Sequence, residues 1–147
     1  MTIPSQHREA PRVTLTHLVT AILCSACASA TGPVAALHVQ TDASQYALGA
    51  PVTLSAVNQG NVTLFLASCG DRVMVAIDRW QDKQWRQYSG DACLAIYPML
   101  PRPLEAGAAY RSSGAFREVG RFRLRLGVGD GTAPPVWNAV SNAFDIR

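Results

Sequence analysis

The residues able to do chemistry are few. Four cysteines stand at 24, 27, 69 and 93, and the three histidines at 7, 17 and 38. Nucleophilic catalysis needs a nucleophile, a base and a group that orients the base. His38 sits between Leu37 and Val39 in an alternating stretch, where a solvated strand residue is the ordinary reading, and no Gly-x-Ser-x-Gly elbow occurs. Paired carboxylates in a cleft could serve as general acid and base, but most of the acids, from Asp42 to Asp145, fall in or beside turns, where carboxylates cap backbone N–H groups. A metal role for His38, Met74 and Met99 has nothing that places the three together. These observations predict no enzyme, no cofactor and no metal.

Gly127-Val128-Gly129-Asp130-Gly131 has the composition of a phosphate-cradling loop. Such a loop needs a helix N-terminus after its glycines. Here Pro134 and Pro135 follow, and the stretch is expected to connect two strands. Arg121, Arg123 and Arg125 form a basic row on one strand face. A solvated face is the usual meaning of such a row, and it also discourages edge-to-edge association; an anionic envelope surface or an acidic partner is the functional alternative. Nucleic acid is not expected, because stacking needs aromatics beside the arginines and Phe122 alternates to the opposite face. Trp80, Trp85, Tyr88 and Tyr97 lie near the late cysteines. Packing residues are the ordinary reading, and an exposed binding patch the alternative.

The elements that position these residues begin after an N-terminal leader. Arg8 and Arg12 precede an uncharged apolar run, Leu15 to Ala26, followed by Ala28-Ser29-Ala30. A basic start, a short apolar stretch and a small-x-small site are the marks of a secretory signal, and the run is too short to span a bilayer. Residues 1–30 are therefore expected to be a signal peptide. Cys24-Ser25-Ala26-Cys27 also resembles a lipobox, with Cys24 where Leu is usual, so cleavage after Ala30 and lipidation at Cys27 both stand. Either places the product in the periplasm or cell envelope, with a lipid anchor as the one membrane contact. Cys69 and Cys93, 24 residues apart, remain as an even pair in an oxidising compartment. One disulfide is expected, with about 3 kcal/mol of stabilisation from closing that loop.

The 147-residue chain is 48% hydrophobic and 16% charged, a globular composition, and its formal charge of +3 is small for a phosphate-binding protein. Without Arg8, Glu9 and Arg12 the 13 basic and 10 acidic residues give a balance of +2, too weak to steer anionic partners. From residue 31 to 147 apolar residues alternate with polar ones in short runs separated by turns. Strands are expected at 37–41, 52–56, 62–67, 72–79, 84–88, 108–116, 119–127 and 136–146, with a turn at Gln81-Asp82-Lys83 and an irregular, proline-rich stretch over 89–103 tied by the disulfide to the end of the third strand. Seven or eight antiparallel strands without a helix predict an all-β, two-sheet sandwich forming one domain over 31–147, with a small closed barrel as the alternative.

The order of motifs resembles the bacterial immunoglobulin-like domains. Tyr46-Ala47-Leu48-Gly49-Ala50-Pro51-Val52-Thr53-Leu54, then Val57-Asn58-Gln59-Gly60, resembles their opening. Cys69-Gly70, Cys93 and Trp85 match a cysteine pair and a tryptophan in that pattern. Leu104-Glu105-Ala106-Gly107 resembles the "L-x-P-G" turn with Ala106 for Pro, Gly120-Arg121-Phe122-Arg123-Leu124 resembles "G-x-Y-R-L" with Phe for Tyr, and Ser141 to Ile146 resembles the closing strand. The resemblance spans 37–146 and implies an extracytoplasmic immunoglobulin-like β-sandwich without implying an activity. The expected function is a non-catalytic exported interaction or structural module of the envelope, its partner an unidentified protein or envelope surface. Arg121, Arg123, Arg125, Trp80, Trp85 and Asp130 are the candidate binding residues, with the loops 127–135 and 93–103 as recognition segments. The alternative is a proteinase inhibitor presenting the disulfide-anchored stretch 93–103.

Overall fold

A computed structural model describes residues 36–91, 93 and 100–147. The stretch expected to be a leader, 1–30, and Cys27, Tyr97 and Met99 lie outside the described residues. Alternation is the organising fact. In β1 (Leu37–Thr41) and β3 (Pro51–Asn58) every second side chain is buried, and the two pair antiparallel with Val39 opposite Ala56. β10 (Ala109–Ala115) adds to the other side of β3, giving the order β1-β3-β10. This is the smaller of two facing sheets.

The larger sheet is built on β11 (Gly120–Gly129), the longest strand. Along one side of it lie β4 (Leu64–Leu66) and β7 (Val75–Gln81), both antiparallel to it. β8 (Gln84–Gly90) pairs outside β7, and β9 (Arg102–Leu104) outside β4. On the other side lie β12 (Val136–Val140) and then β13 (Phe144–Ile146). The short β2 (Gln45–Tyr46) joins β13 in parallel. The strand order matches an immunoglobulin domain, in which the first, second and fifth main strands face the third, sixth and seventh. The fold is an all-β, immunoglobulin-like antiparallel sandwich.

The core between the sheets is apolar and closely packed. Phe116, Phe122 and Phe144 meet with ring centroids 4.8–6.2 Å apart, and Tyr46 stands edge-on to Phe144 at 5.6 Å. Leu64, Leu66, Leu126 and Val128 complete the centre. One polar side chain, Asn58, is wholly buried with them. Its amide donates to the carbonyls of Val62 and Leu104, and its Oδ1 accepts from Gly60 N–H. That satisfaction permits its burial and fixes the turn between β3 and β4.

Several element bounds differ from the sequence expectations. The strand expected at 62–67 is only β4, and the one expected at 72–79 is divided. The chain leaves β11 after Ala67, makes a small hairpin of β5 (Ser68–Cys69) and β6 (Arg72–Val73), and rejoins β11 at Val75. Ala67 donates to Gly127 O, and Met74 N–H returns to Ala67 O, closing the base of this excursion. Cys69 is bonded to Cys93 from within it, so the staple holds a looped-out hairpin rather than the end of the third strand. The prolines of 98–103 predict irregular chain, yet Pro103 sits in β9 opposite Phe65. A proline is tolerated there because β9 is an edge strand. β11 runs two residues past its expected end, and the expected 136–146 strand breaks at Ser141–Ala143 into β12 and β13.

Candidate functional site

The outer face of the larger sheet carries the groups of greatest chemical interest. Asp82 and Lys83, both with positive φ (50° and 61°), make a two-residue turn between β7 and β8. That turn type matches the twist of the flanking strands, and it sets Trp80 directly opposite Trp85. The two indoles meet edge to face at 5.2 Å. Trp80 remains 43% exposed.

Asp78 points outward from the middle of β7 but is only 3% exposed. Two arginines of β11 cover it. Arg123 donates its Nε–H to Asp78 Oδ2 at 2.9 Å, and Arg125 donates its Nε–H to Asp78 Oδ1 at 2.9 Å. Arg125 extends further to Gln87 Oε1 (3.3 Å) and the Trp137 carbonyl (3.5 Å). The Arg123 guanidinium lies 4.6 Å from the centre of the Trp85 ring, within cation–π range. A carboxylate that accepts two charge-assisted bonds from fixed guanidinium forks holds both side chains in place. Arg123 thereby presents its terminal Nη groups next to the tryptophan pair, and these make no bond to any described residue.

Arg121 stands on the same face, in register with Asp145 of β13, and has no hydrogen-bond or ion-pair partner among the described residues. Trp137 stands opposite Gly127, and it is Ala67 that requires the glycine, because an added Cβ would come within 2.8 Å of Ala67 Cβ while meeting the indole at an ordinary 3.5 Å. Asp130 is elsewhere, past the far end of β11. Its Oδ1 accepts from Thr132 Oγ1 (2.6 Å) and Thr132 N–H (2.9 Å), and these bonds hold its carboxyl below the usual range. Asp130 caps a turn and does not join the tryptophan–arginine cluster.

The structure therefore gathers Trp80, Trp85, Arg121, Arg123 and Arg125 on one face and separates Asp130 from them. Two sequence expectations are corrected. The arginine row is not a uniformly solvated face, because two of its three members are bound to one buried carboxylate. The aromatics missing beside the arginines on β11 are supplied by Trp80 of β7 and Trp85 of β8, with Trp80 exposed, whereas Tyr88 keeps the packing role expected of it, its ring edge-on to the buried Phe122 at 5.6 Å although its outer side meets solvent. Asp78, Gln87 and Trp137 were not anticipated. The alternation of β7 places Asp78 on the same side as Trp80, but which strand lies beside it is set by the fold. His38 is exposed on the smaller sheet with its ring bonded to Gln40, and Met74 is buried. The loop considered for protease inhibition falls largely outside the described residues, at 94–99. Among the described residues no group of three metal-binding side chains occurs, and no helix is long and apolar enough to cross a membrane.

No family model and no curated protein matches the chain. Solved structures similar to it include the Pseudomonas fluorescens alkylpurine DNA glycosylase AlkC bound to DNA containing an abasic site analog (TM-score 0.42, 16% identity, 76% of this chain and 30% of that one). They also include the PapD-like domain 7 of human CEP192 (TM-score 0.36, 11% identity, 92% and 94%) and the CARDB domain of PF1109 from Pyrococcus furiosus (TM-score 0.37, 13% identity, 76% and 92%). This chain thus spans under a third of the glycosylase's length. The strand order described above, and not these likenesses, carries the fold assignment.

Proposed function

We propose that this chain is a non-catalytic immunoglobulin-like interaction module, exported to the cell envelope, that meets its partner through the outer face of the larger sheet. The observation that carries the reading is the Trp80–Trp85 pair, Trp80 exposed and Trp85 half-buried, beside an Arg123 already oriented by Asp78. Tryptophan and arginine dominate the energetics of protein interfaces. Their side chains cost least to order when the free protein already holds them still. The face combines both properties: two indoles packed on each other, and a guanidinium held by a carboxylate and an indole with its terminal groups unbonded to any described residue.

A binding role is also supported by how the ionisable groups are used. Asp78 is committed to two arginines, Asp91 to Arg72, and Glu118 to Arg79. Asp42 accepts from the Tyr46 hydroxyl and the Thr53 N–H. Each of these carboxylates does structural work in the sandwich. Export is supported by the Cys69–Cys93 bond, which suits an oxidising compartment, and by the expected leader over 1–30.

The test is crosslinking in intact cells followed by mass spectrometry, comparing the wild-type chain with Trp80→Ala and Trp85→Ala. The reading expects discrete adducts that both substitutions remove while the purified variants keep the β-sheet circular dichroism of the parent. Adducts that persist unchanged in both variants overturn it. The N-terminal residue of the same material distinguishes cleavage after Ala30 from a lipid on Cys27.

A further inference from the structure

Among the described residues, the smaller sheet ends in an edge without a covering element. β10 runs seven residues without a proline, a bulge or a covering element among the described residues, and pairs through one side only, with β3. Native edges are usually blunted by charge, proline, irregularity or cover. Here a single charged residue, Arg111, serves, and it points outward to solvent. Beneath this edge the two sheets part. A cleft of about 130 Å³ opens there, floored by Val52, Leu54, Val75, Ile77 and Leu124. At its rim Gly114 faces inward, opposite Val52, and a Cβ built on it would meet nothing within 4 Å. The inward positions of β10 are Tyr110, Ser112 and Gly114, and the outward ones are Ala109, Arg111, Ser113 and Ala115.

We propose that β10 is a dimerisation edge, at which a second copy of this chain pairs antiparallel about a two-fold axis through Ser112. The two three-stranded sheets then become one continuous sheet, the isologous arrangement usual for homodimers. The argument for a second copy is that the strand is complementary to itself in this register. Ser112 faces Ser112, and Tyr110, half-buried against the core with the Arg102 guanidinium 6.0 Å from its ring, faces the partner's Gly114, so the exposed side of an aromatic ring lies across from the unfilled position at the cleft. Aromatic residues across from an edge glycine are a known means of stabilising such a site. On the outer face Arg111 faces the partner's Ser113, and Ala109 the partner's Ala115. An axis at Arg111 sets the two Arg111 side chains against each other, and cross-strand like charges destabilise. An axis at Ser113 sets Gly114 against Ser112 and leaves the cleft uncovered. The edge belongs to the opposite sheet from the tryptophan face, so this inference stands apart from the partner-binding reading.

Sedimentation velocity of the purified chain over a wide concentration range tests the proposal. The register specifies the variants, all at positions 111 and 113, where the side chains point to solvent. Ser113→Glu sets a carboxylate opposite the partner's Arg111, twice per dimer, and should tighten the dimer roughly 2- to 30-fold. Ser113→Arg should weaken it by a similar factor, and adding Arg111→Glu to Ser113→Arg should restore it. Circular dichroism checks that each variant keeps its fold. Hydrogen exchange at high concentration should protect β10 amides that exchange freely at low concentration. A monomer at every concentration overturns the proposal, as does a dimer whose affinity ignores all three substitutions.

Discussion

On the smaller sheet the outward positions hold His38, Gln40, Thr53, Ser55, Arg111 and Ser113; on the larger sheet they hold Trp80, Trp85, Asp78, Gln87, Arg123 and Arg125. Both sets arise from the same alternation, and both are polar in a simple count. They differ in connection. The first set holds one formal charge, Arg111, and among these residues one side-chain bond, from the His38 ring to Gln40 on the same strand. In the second, three strands are linked side chain to side chain: Arg123 and Arg125 of β11 converge on the Asp78 carboxylate of β7, Arg125 reaches Gln87 of β8, and Arg123 lies over the Trp85 indole of β8. An outward-facing residue on a sheet is thus not necessarily solvated. Long side chains on adjacent strands can bury a charge above the sheet as well as beneath it.

The largest expected break in this contrast is Asp78→Ala. It removes the shared acceptor and leaves Arg123 and Arg125 facing each other without a counter-charge. Because both arginines keep partial access to water, the expected cost is about 2–3 kcal/mol, somewhat below that of breaking a fully buried pair. Urea denaturation should show a lower midpoint at unchanged slope. A loss under 1 kcal/mol shows that the carboxylate is not the anchor of this face.

A smaller effect is expected for the stack. Arg123→Ala and Trp85→Ala should each cost about 1 kcal/mol, and a double-mutant cycle between them should return a coupling of about 0.5–1 kcal/mol. Additive costs show that the 4.6 Å approach contributes nothing. On the other sheet, Ser55→Ala should leave stability within about 0.5 kcal/mol of the parent, as for an ordinary surface position. A cost above 1 kcal/mol there erases the distinction between the faces.

The last prediction concerns acid. Beside the smaller sheet Asp42 accepts from the Tyr46 hydroxyl at 2.6 Å and from Thr53 N–H at 2.9 Å, bonds that hold its carboxyl below its ordinary value of 3.8. Burial, with Asp42 as a further cause, raises the Tyr46 hydroxyl above its ordinary 10.0. A carboxylate lowered in the folded state stabilises above the unfolded value, and that contribution disappears as pH falls through the folded one. Tyr46→Phe removes the strongest of these bonds. Stability measured against pH should then fall less steeply through the acid range below 3.8 than in the parent. An unchanged acid slope removes Asp42 as a contributor.

Much of this molecule was legible from one strand at a time. Period-two alternation in 37–41, 52–56 and 119–127 places Leu37, Val52, Phe122 and Leu124 inside, and the pairing keeps them there. The lone late cysteine pair is bonded. What alternation cannot show is an interruption. Residues 64–81 form two strand segments along the same side of β11 with a hairpin looped out between them, and such an excursion leaves the local pattern intact on either side. The candidate face was half legible for the same reason. Arg121, Arg123 and Arg125 share a side by spacing alone, whereas their meeting with Asp78, Trp85 and Gln87 depends on which strands adjoin β11.

The sequence by itself determined the layers: which side chains turn inward, where turns interrupt, and that two thiols remain to be joined. These follow from steric and solvation preferences that act over a few residues. The tertiary structure alone decided the neighbours of β11, the burial of Asp78 beneath two guanidinium groups, and the exposure of β10 at the sheet's edge. Those depend on contacts between segments far apart in the chain, as Arg123 and Arg125 are, at 45 and 47 residues from Asp78, and spacing along one strand carries no information about which strand will lie beside it.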